Sequence, residues 1–340
     1  MPPHGPWKSR TALGVTLGVV GGAIVLMVAL IAGFAMRGEG TVTSSPSPVA
    51  TRPTLPSPAP TNTPPPLPTT RPTAPRPTVP KPTATRTTVK PPPPRRMPPK
   101  PPGDRQVMGG DPFYRTGAMA SAGCRLPDVA LSNKGGVTVY YGALLRCLNN
   151  GWPRNVRAGH DVFRRPRMLM VAGYVDSPCG GTAMPRSYYC GGNEVIYMRY
   201  DQDIKQYNKY PEYYQKVFAR MWAMFTVAHE YGHHVQQMTG ILDAYARQRY
   251  ASNYDTGLEL SRRLELQASC LGNIFLGANR RSLPITGENF RQYDWAISHT
   301  IDIPHDHGNA QNHTFWSHRG YRTRLPSQCN TFTASPRMVR

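Results

Sequence analysis

Two histidines and a glutamate with the spacing of a metal site lie between Met221 and Met238, in the segment MWAMFTVAHEYGHHVQQM. The sequence HEYGH from His229 to His233 follows the pattern H-E-x-x-H, which on an α-helix places the two imidazoles on one face. Such a pair can bind one metal ion with a position left open for water, and Glu230 beside the metal can accept that water's proton. The chemistry available to these residues is metal-assisted hydrolysis, with zinc as the expected ion.

The neighbours of the motif predict a mostly buried helix. Apolar residues precede and follow the two histidines, at Ala223, Phe225, Val227, Ala228, Val235 and Met238. Because unpaired polar groups are costly to bury, imidazoles and a carboxylate on such a helix need partners, and a metal ion supplies them. The alternative is a solvated helix face that carries these residues without a chemical role. His234 points to another side of the helix and is left out of the site.

Catalytic zinc usually has three protein ligands, and a later predicted helix offers the third. Glu265 lies in the sequence RRLELQASC, where its apolar neighbours indicate a helix packed against protein. Arg262 or Arg263 could instead neutralise Glu265 in a salt bridge, and this alternative stays open. Asp255 and Glu259 are weaker candidates, because acidic residues near a helix start commonly interact with the helix dipole.

The elements that must position these residues follow from hydrophobic periodicity and from helix stop signals. Pro211 suits the first turn of the motif helix, and Gly240 suits its end. A few strands followed by packed helices predict an α+β fold. We expect the second strand to bind an extended peptide by edge pairing. The predicted helices are Tyr140–Trp152, Pro211–Met238, Tyr254–Leu276, Asn289–His299 and Ala310–Arg319, and the strands are Met168–Val175 and Glu194–Tyr200.

The amino-terminal region predicts a membrane anchor. Residues 11–36 form an uncharged, largely apolar stretch. A secretory signal has an apolar segment of about 7 to 15 residues and a spanning helix needs about 20, so we predict a transmembrane helix here. A long, cleavable signal peptide is the alternative. Lys8 and Arg10 predict a cytoplasmic tail over residues 1–10 and an extracytoplasmic location for the rest.

Residues 37–105 have the composition of a disordered stalk. The part from 41 to 103 contains 23 of the 37 prolines, many Thr and Ser, and no aromatic residue. Such a segment cannot bury enough apolar surface to offset its ordering entropy, so we predict an extended spacer. At about 3.1 Å per residue it could reach roughly 190 Å. We therefore predict one globular domain, over residues 106–340.

The charge distribution argues against a nucleic-acid partner. The formal net charge is +21, but residues 1–105 hold 13 Lys and Arg against 2 Asp and Glu, which is about half of the excess. Basic residues spread along a disordered stalk fit non-specific contacts with anionic wall polymers or lipid headgroups, or solubility alone. We therefore expect no nucleic-acid binding.

The cysteines all follow the stalk, as expected of a disulfide-bonded extracytoplasmic domain. No C-x-x-C pair occurs, which argues against a zinc–thiolate cluster. Cys179 and Cys190 bracket a Gly-rich turn, and sequence order makes the other pairings the simplest completion. The predicted disulfides are Cys179–Cys190, Cys124–Cys147 and Cys270–Cys329.

Four ordered segments resemble the bacterial neutral zinc metallopeptidase family. They are PCGG to YYCGGNEVIYM, HEYGHHVQ, LELQASC, and HGNAQNHTFWSHRG followed by CNTF, and they span about Cys179 to Phe332. The resemblance implies a zincin-like α+β domain of the glutamate-ligand type, with a small sheet and an HExxH helix. It also implies that His229, His233 and Glu265 bind zinc, that Glu230 is the general base, and that Cys270 pairs with Cys329.

Two positions depart from the family pattern. Ser269 stands where the family usually has Asp, and Asn312 where it usually has Arg. The missing carboxylate would lie one turn beyond Glu265 and could orient a ligand histidine; losing such a partner typically costs about 10- to 100-fold in metal affinity or activity.

The resemblance implies a zinc peptidase, and the predicted anchor over residues 11–36 places its domain on the outer side of a membrane. His307 is our candidate for stabilising the oxyanion, with Tyr293 and His305 behind it. Two alternatives from other classes stay open: a catalytically silent zinc-binding envelope protein, motivated by Ser269, and a wall-binding stalk protein with structural zinc.

Overall fold

The computed structural model describes residues 101–180, 186–303 and 305–340, all of which belong to the compact unit Pro91–Arg340. The predicted tail, the predicted anchor and nearly all of the predicted stalk lie outside these residues. Within the described ranges, no helix is both long and apolar enough to cross a bilayer.

The described part of the chain is rich in helix and contains a small sheet, so the predicted α+β class is confirmed. Short 3-10 helices lie at Pro112–Arg115, Pro326–Cys329, Thr331–Thr333 and Pro336–Val339. The longer elements are α1 Asp104–Gly110, α2 Lys134–Gly151, α3 Pro153–Ala158, β1 Arg167–Val171, β2 Tyr188–Cys190, β3 Val195–Arg199, α4 Tyr200–Lys209, α5 Tyr213–Met238, α6 Ile241–Tyr250, α7 Tyr254–Ala278, α8 Gly287–Ser298 and α9 Ala310–Thr323.

The sheet has the order β1-β3-β2, with β1 parallel and β2 antiparallel to β3. β3 corresponds to the predicted strand Glu194–Tyr200, and it has a neighbour on each side. The expectation that this strand binds a peptide by edge pairing is therefore wrong, because its backbone groups are already used by both neighbours. β2, which the sequence reading missed, is one of the two edge strands.

The motif helix α5 has well-defined ends. The side chain of Glu212 accepts a hydrogen bond from the first turn and the side chain of Gln215 accepts one in return, which forms a capping box. After Met238 the chain turns at Gly240, whose φ of 71° is in the left-handed region that glycine favours. The predicted helix over Pro211–Met238 is thus present, starting at Tyr213.

The backbones of α5 and α7 approach each other closely at two glycines. A Cβ atom at Gly232 would lie 2.4 Å from the carbonyl oxygen of Ala268, and one at Gly272 would lie 2.7 Å from the backbone of Ala228. Both distances are too short for non-bonded atoms, so a larger residue at either position would push the helices apart. This crossing places the histidine face of α5 opposite the middle of α7.

Two of the three predicted disulfides are present, Cys179–Cys190 and Cys270–Cys329. The prediction of the third, Cys124–Cys147, is wrong. Both cysteines are buried free thiols that lie close enough to shift each other's pKa. Sequence order paired two cysteines that are neighbours in the fold, but it carries no information on whether two neighbouring thiols are oxidised.

Candidate metal centre

Three predicted ligand side chains converge where α5 crosses α7. The Oε2 atom of Glu265 lies 3.2 Å from Nε2 of His229 and 3.1 Å from Nε2 of His233. One donor atom from each residue lies within 4.8 Å of the others. Two imidazole nitrogens and a carboxylate oxygen are a donor set that zinc prefers, so the residues fit this metal. Their side chains stay 12%, 10% and 19% exposed, so the donors are largely buried but keep some contact with solvent.

The arginines near Glu265 are engaged elsewhere. Arg262 donates to the backbone carbonyls of Val339 and His305. Arg263 forms a salt bridge with Glu259, at 2.8 Å, and also donates to backbone carbonyls. The salt-bridge alternative for Glu265 therefore has no counterpart here, and Glu259 is explained by its own ion pair.

The charges in the centre favour a bound cation. Burial favours the neutral form of Glu265, but the imidazoles of His233 and His307 outweigh it and hold the pKa of Glu265 well below its usual range. Burial also opposes a charge on His233, yet Glu265 and Glu230 raise the pKa of His233 to about 9. Burial lowers the pKa of His229 to about 4. A proton on His233 and a metal ion therefore compete for the same carboxylate.

His233 is held by a chain of hydrogen bonds that we call the amide support. It is formed by the side-chain amides of Gln236 and Gln267 and by the hydroxyl of Tyr114. Nδ1 of His233 lies 2.8 Å from Oε1 of Gln236. The amide nitrogen of Gln236 donates to the Leu264 carbonyl and to Oε1 of Gln267, whose own amide nitrogen donates to the Tyr114 hydroxyl. Because Oε1 of Gln236 can only accept, Nδ1 carries the hydrogen in the neutral ring of His233, and Nε2 is then the nitrogen that can bind a metal.

His229 is held by a different set, which we call the hydroxyl support, formed by Ser269 and His313. Oγ of Ser269 lies 3.0 Å from Nδ1 of His229 and 3.2 Å from Nε2 of His313. Nδ1 of His313 lies 2.8 Å from the Ile297 carbonyl oxygen. Ser269 thus contacts the ligand histidine from the position that the family resemblance assigns to Asp. The sequence motifs contain no signal for His313, which lies on α9, 44 residues after Ser269.

Glu230 lies beside the three donors and is buried, with 5% of its surface exposed. Burial raises the pKa of Glu230 to about 8, although the imidazoles of His233 and His307 and the backbone N–H of Tyr189, on β2, favour its ionised form. A carboxyl group with a pKa near neutrality can both accept and return a proton. His234, left out of the site, is held by the Tyr189 hydroxyl and the Arg164 carbonyl.

His307 lies at the edge of the centre. Its Nε2 is 3.5 Å from Oε2 of Glu265, and its Nδ1 is 2.5 Å from Oδ1 of Asp306. The carboxylate of Asp302 accepts the backbone N–H groups of Asp306 and His307, which fixes the loop. Burial opposes a positive charge on His307, but Glu265 and Asp306 raise the pKa of His307 to about 9, so this histidine can donate from Nε2.

The other candidates for an oxyanion donor have different surroundings. The hydroxyl of Tyr293 lies 2.5 Å from Oδ1 of Asn273, where it is buried. His305 is exposed. Asn312, the second departure from the family pattern, donates its amide to the carbonyls of Arg337 and Arg340 and so holds the last 3-10 helix against α9.

The predicted resemblance to a neutral zinc metallopeptidase family is confirmed by comparison. Residues 130–288 match the model of the family described as "putative neutral zinc metallopeptidase". This range contains both histidines of the motif, Glu230 and Glu265, whereas His307 and Cys329 lie after it.

Two relatives similar in sequence are named as uncharacterized proteins. An Escherichia coli protein, named uncharacterized protein YpfJ, is 24% identical over 208 residues, which cover 56% of this chain and 70% of that protein. A Mycobacterium tuberculosis protein, named uncharacterized protein Rv2575, is 26% identical over 204 residues, which cover 51% of this chain and 64% of that protein. No solved structure matches the chain.

Proposed function

We propose that the protein is a zinc-dependent peptidase, with zinc held by His229, His233 and Glu265 and with Glu230 as the general base. The observation that carries this proposal is the convergence of three zinc donors beside a buried carboxyl group whose pKa lies near neutrality. The match to a zinc metallopeptidase family supports the same conclusion. Peptide or protein chains are the substrate class that this family suggests.

When bound, zinc would polarise the scissile carbonyl and lower the pKa of the attacking water. Glu230 accepts a proton from that water and passes it to the leaving nitrogen, a role suited to a carboxyl group with a pKa of about 8. The backbone N–H of Tyr189 orients the carboxylate meanwhile. His307, with Nδ1 held by Asp306, donates from Nε2 to the oxygen that becomes negative in the transition state.

The proposed compartment is the outer side of a cell membrane. Residues 11–36 would anchor the chain with its amino terminus in the cytoplasm, and the proline-rich stalk would carry the domain away from the membrane. The disulfides Cys179–Cys190 and Cys270–Cys329 fit an oxidising compartment. The basic stalk offers contacts for anionic wall polymers.

The test compares zinc content and cleavage of a denatured protein by the full chain and its variants. Glu230→Gln should keep zinc and lose about 100- to 10,000-fold in cleavage rate, because only the proton acceptor is removed. Glu265→Ala should lose zinc. Glu259→Gln on the same helix is the matched control, since Glu259 pairs with Arg263, and it should change neither measurement.

The outcomes separate the competing functions. Zinc retention without Glu230-dependent cleavage would favour the catalytically silent envelope protein, for which the serine at position 269 is the motivating observation. A wild-type chain that binds no zinc would contradict both the peptidase and the two zinc-binding alternatives.

A further inference from the structure

The hydroxyl support behind His229 is a buried chain of polar groups. It runs from the carbonyl of Ile297 through His313 and Ser269 to Nδ1 of His229, with successive distances of 2.8, 3.2 and 3.0 Å. Ser269 and His313 are 1% and 6% exposed. Each of these groups must therefore find its hydrogen-bond partners within the protein.

One end of this chain has a defined direction. The Ile297 carbonyl can only accept, and it belongs to the last turn of α8, where carbonyls lack partners within the helix. Nδ1 of His313 must therefore carry a hydrogen and donate it to this carbonyl. The His313 ring is 6% exposed and lies at a steep angle to the Phe225 ring, with centroids 5.5 Å apart, and such burial disfavours a charged imidazole. Neutral His313 thus presents an acceptor, Nε2, to Ser269.

That acceptor determines what the serine does. A hydroxyl can donate to either of two neighbours, so Ser269 alone would leave the orientation of its proton open. If Ser269 donates to His313, its oxygen accepts from Nδ1–H of His229, and Nε2 of His229 keeps a lone pair facing Glu265. If it donates to His229, Nε2 of His229 carries the proton and cannot bind a metal, while Nε2 of His313 stays buried without a donor. The second arrangement leaves a buried acceptor without a hydrogen-bond partner, which is unfavourable.

We propose that His313 is a positioning residue that acts through Ser269 to hold His229 in the tautomer that binds zinc. The two side chains together take over the task of the carboxylate that the family pattern places at position 269. The proposal deepens the proposed function and rests on it, because it requires His229 to be a zinc ligand.

The test is the zinc affinity of the full chain, measured by competition with a chelating dye. His313→Phe preserves the ring volume but removes the acceptor, and it should weaken zinc binding about tenfold, as loss of a partner behind a ligand does. His313→Gln keeps an acceptor for Ser269 and a donor for Ile297, and it should stay within about threefold of wild type. His318→Ala is the control, because His318 lies on the same helix but pairs with Asp294.

A double variant tests whether the two residues act in series. Ser269→Ala should lose about 10- to 100-fold in zinc affinity, and adding His313→Phe should cost no more than about twofold beyond that. Wild-type affinity in His313→Phe, or losses that simply add in the double variant, would overturn the proposal. Thermal unfolding of each zinc-loaded variant identifies any that fails to fold, and for such a position the glutamine variant decides the outcome.

Cleavage assays on the same samples separate this proposal from the proposed function. Loss of zinc affinity in His313→Phe together with inactivity of the zinc-loaded wild type would support the positioning role and count against the peptidase. Full cleavage by wild type with unchanged zinc affinity in His313→Phe would support the peptidase and overturn the positioning role of His313.

Discussion

The two histidines of the candidate centre are held in different ways. The amide support behind His233 uses Gln236 and Gln267, whose planar side chains have distinct donor and acceptor ends. The hydroxyl support behind His229 uses Ser269, whose hydroxyl can donate to either neighbour, and His313, whose acceptor decides between them. Both leave an Nε2 atom facing Glu265, but the amide side is oriented by a backbone carbonyl, that of Leu264, and the hydroxyl side by a side chain, that of His313. Metal-site geometry thus depends on which partners can change roles as well as on distance.

The largest expected effect comes from breaking the amide support. Gln236→Leu leaves Nδ1 of His233 and Oε1 of Gln267 buried without partners. We expect zinc affinity to fall by about 100-fold, and the free energy of unfolding to fall by about 2 kcal/mol. Dye competition and denaturant unfolding measure the two quantities.

A neighbouring glutamine provides the control. Gln237 pairs with Asp243 near the surface, so Gln237→Leu should change zinc affinity little. Gln236→Glu keeps an acceptor for His233 but loses the donors to Leu264 and Gln267, so it should retain zinc better than Gln236→Leu while still being destabilised. Equal zinc affinities in Gln236→Leu and wild type would mean that the amide support does not orient His233.

Taken per pH unit, an intermediate effect on zinc affinity is expected from pH, and it should arise from His233 and not from His229. His233 has its pKa raised to about 9, so below that pH zinc must displace a proton from it. The apparent zinc affinity should rise by about tenfold per pH unit up to about pH 9 and then level off. The pKa of His229 is lowered to about 4, so it has no proton to lose near neutrality.

The pH slope therefore sharpens the comparison between the two supports. Zinc affinity measured from pH 6.5 to 9.5, a range chosen about the pKa of His233, should have the same slope in Ser269→Ala as in wild type, with a uniformly lower value. A slope that flattens in Ser269→Ala would place the released proton on the His229 side and contradict the assignment.

The smallest effect is expected at the far end of the amide support. Tyr114→Phe removes the hydroxyl that accepts from Gln267 and donates to the Met108 carbonyl. The free energy of unfolding should fall by about 1 kcal/mol, since a neutral buried hydrogen bond is lost. Zinc affinity should change less than about threefold, because Gln267 keeps the Cys329 carbonyl as an acceptor. A larger loss of zinc affinity would extend the set of residues that position His233.

Part of the fold and of the site could be predicted from local patterns. The motif helix, the later helix that carries Glu265, and the presence of a small sheet all follow from periodicity over neighbouring residues. The order of the strands does not, and so the role expected of Glu194–Tyr200 was wrong. Strand order depends on pairing between segments far apart in the chain, for which alternation within one strand carries no signal.

The sequence by itself determined which residues could bind a metal: the H-E-x-x-H spacing puts His229 and His233 on one face of a helix, and Gln236 lies close enough on that helix to reach His233. Only the tertiary structure decided that Glu265 meets them, through the close helix crossing at Gly232 and Gly272. It also brought His313 to Ser269 from a different helix. The physical reason is that local spacing specifies faces within one helix, whereas contacts between helices depend on how the whole core packs.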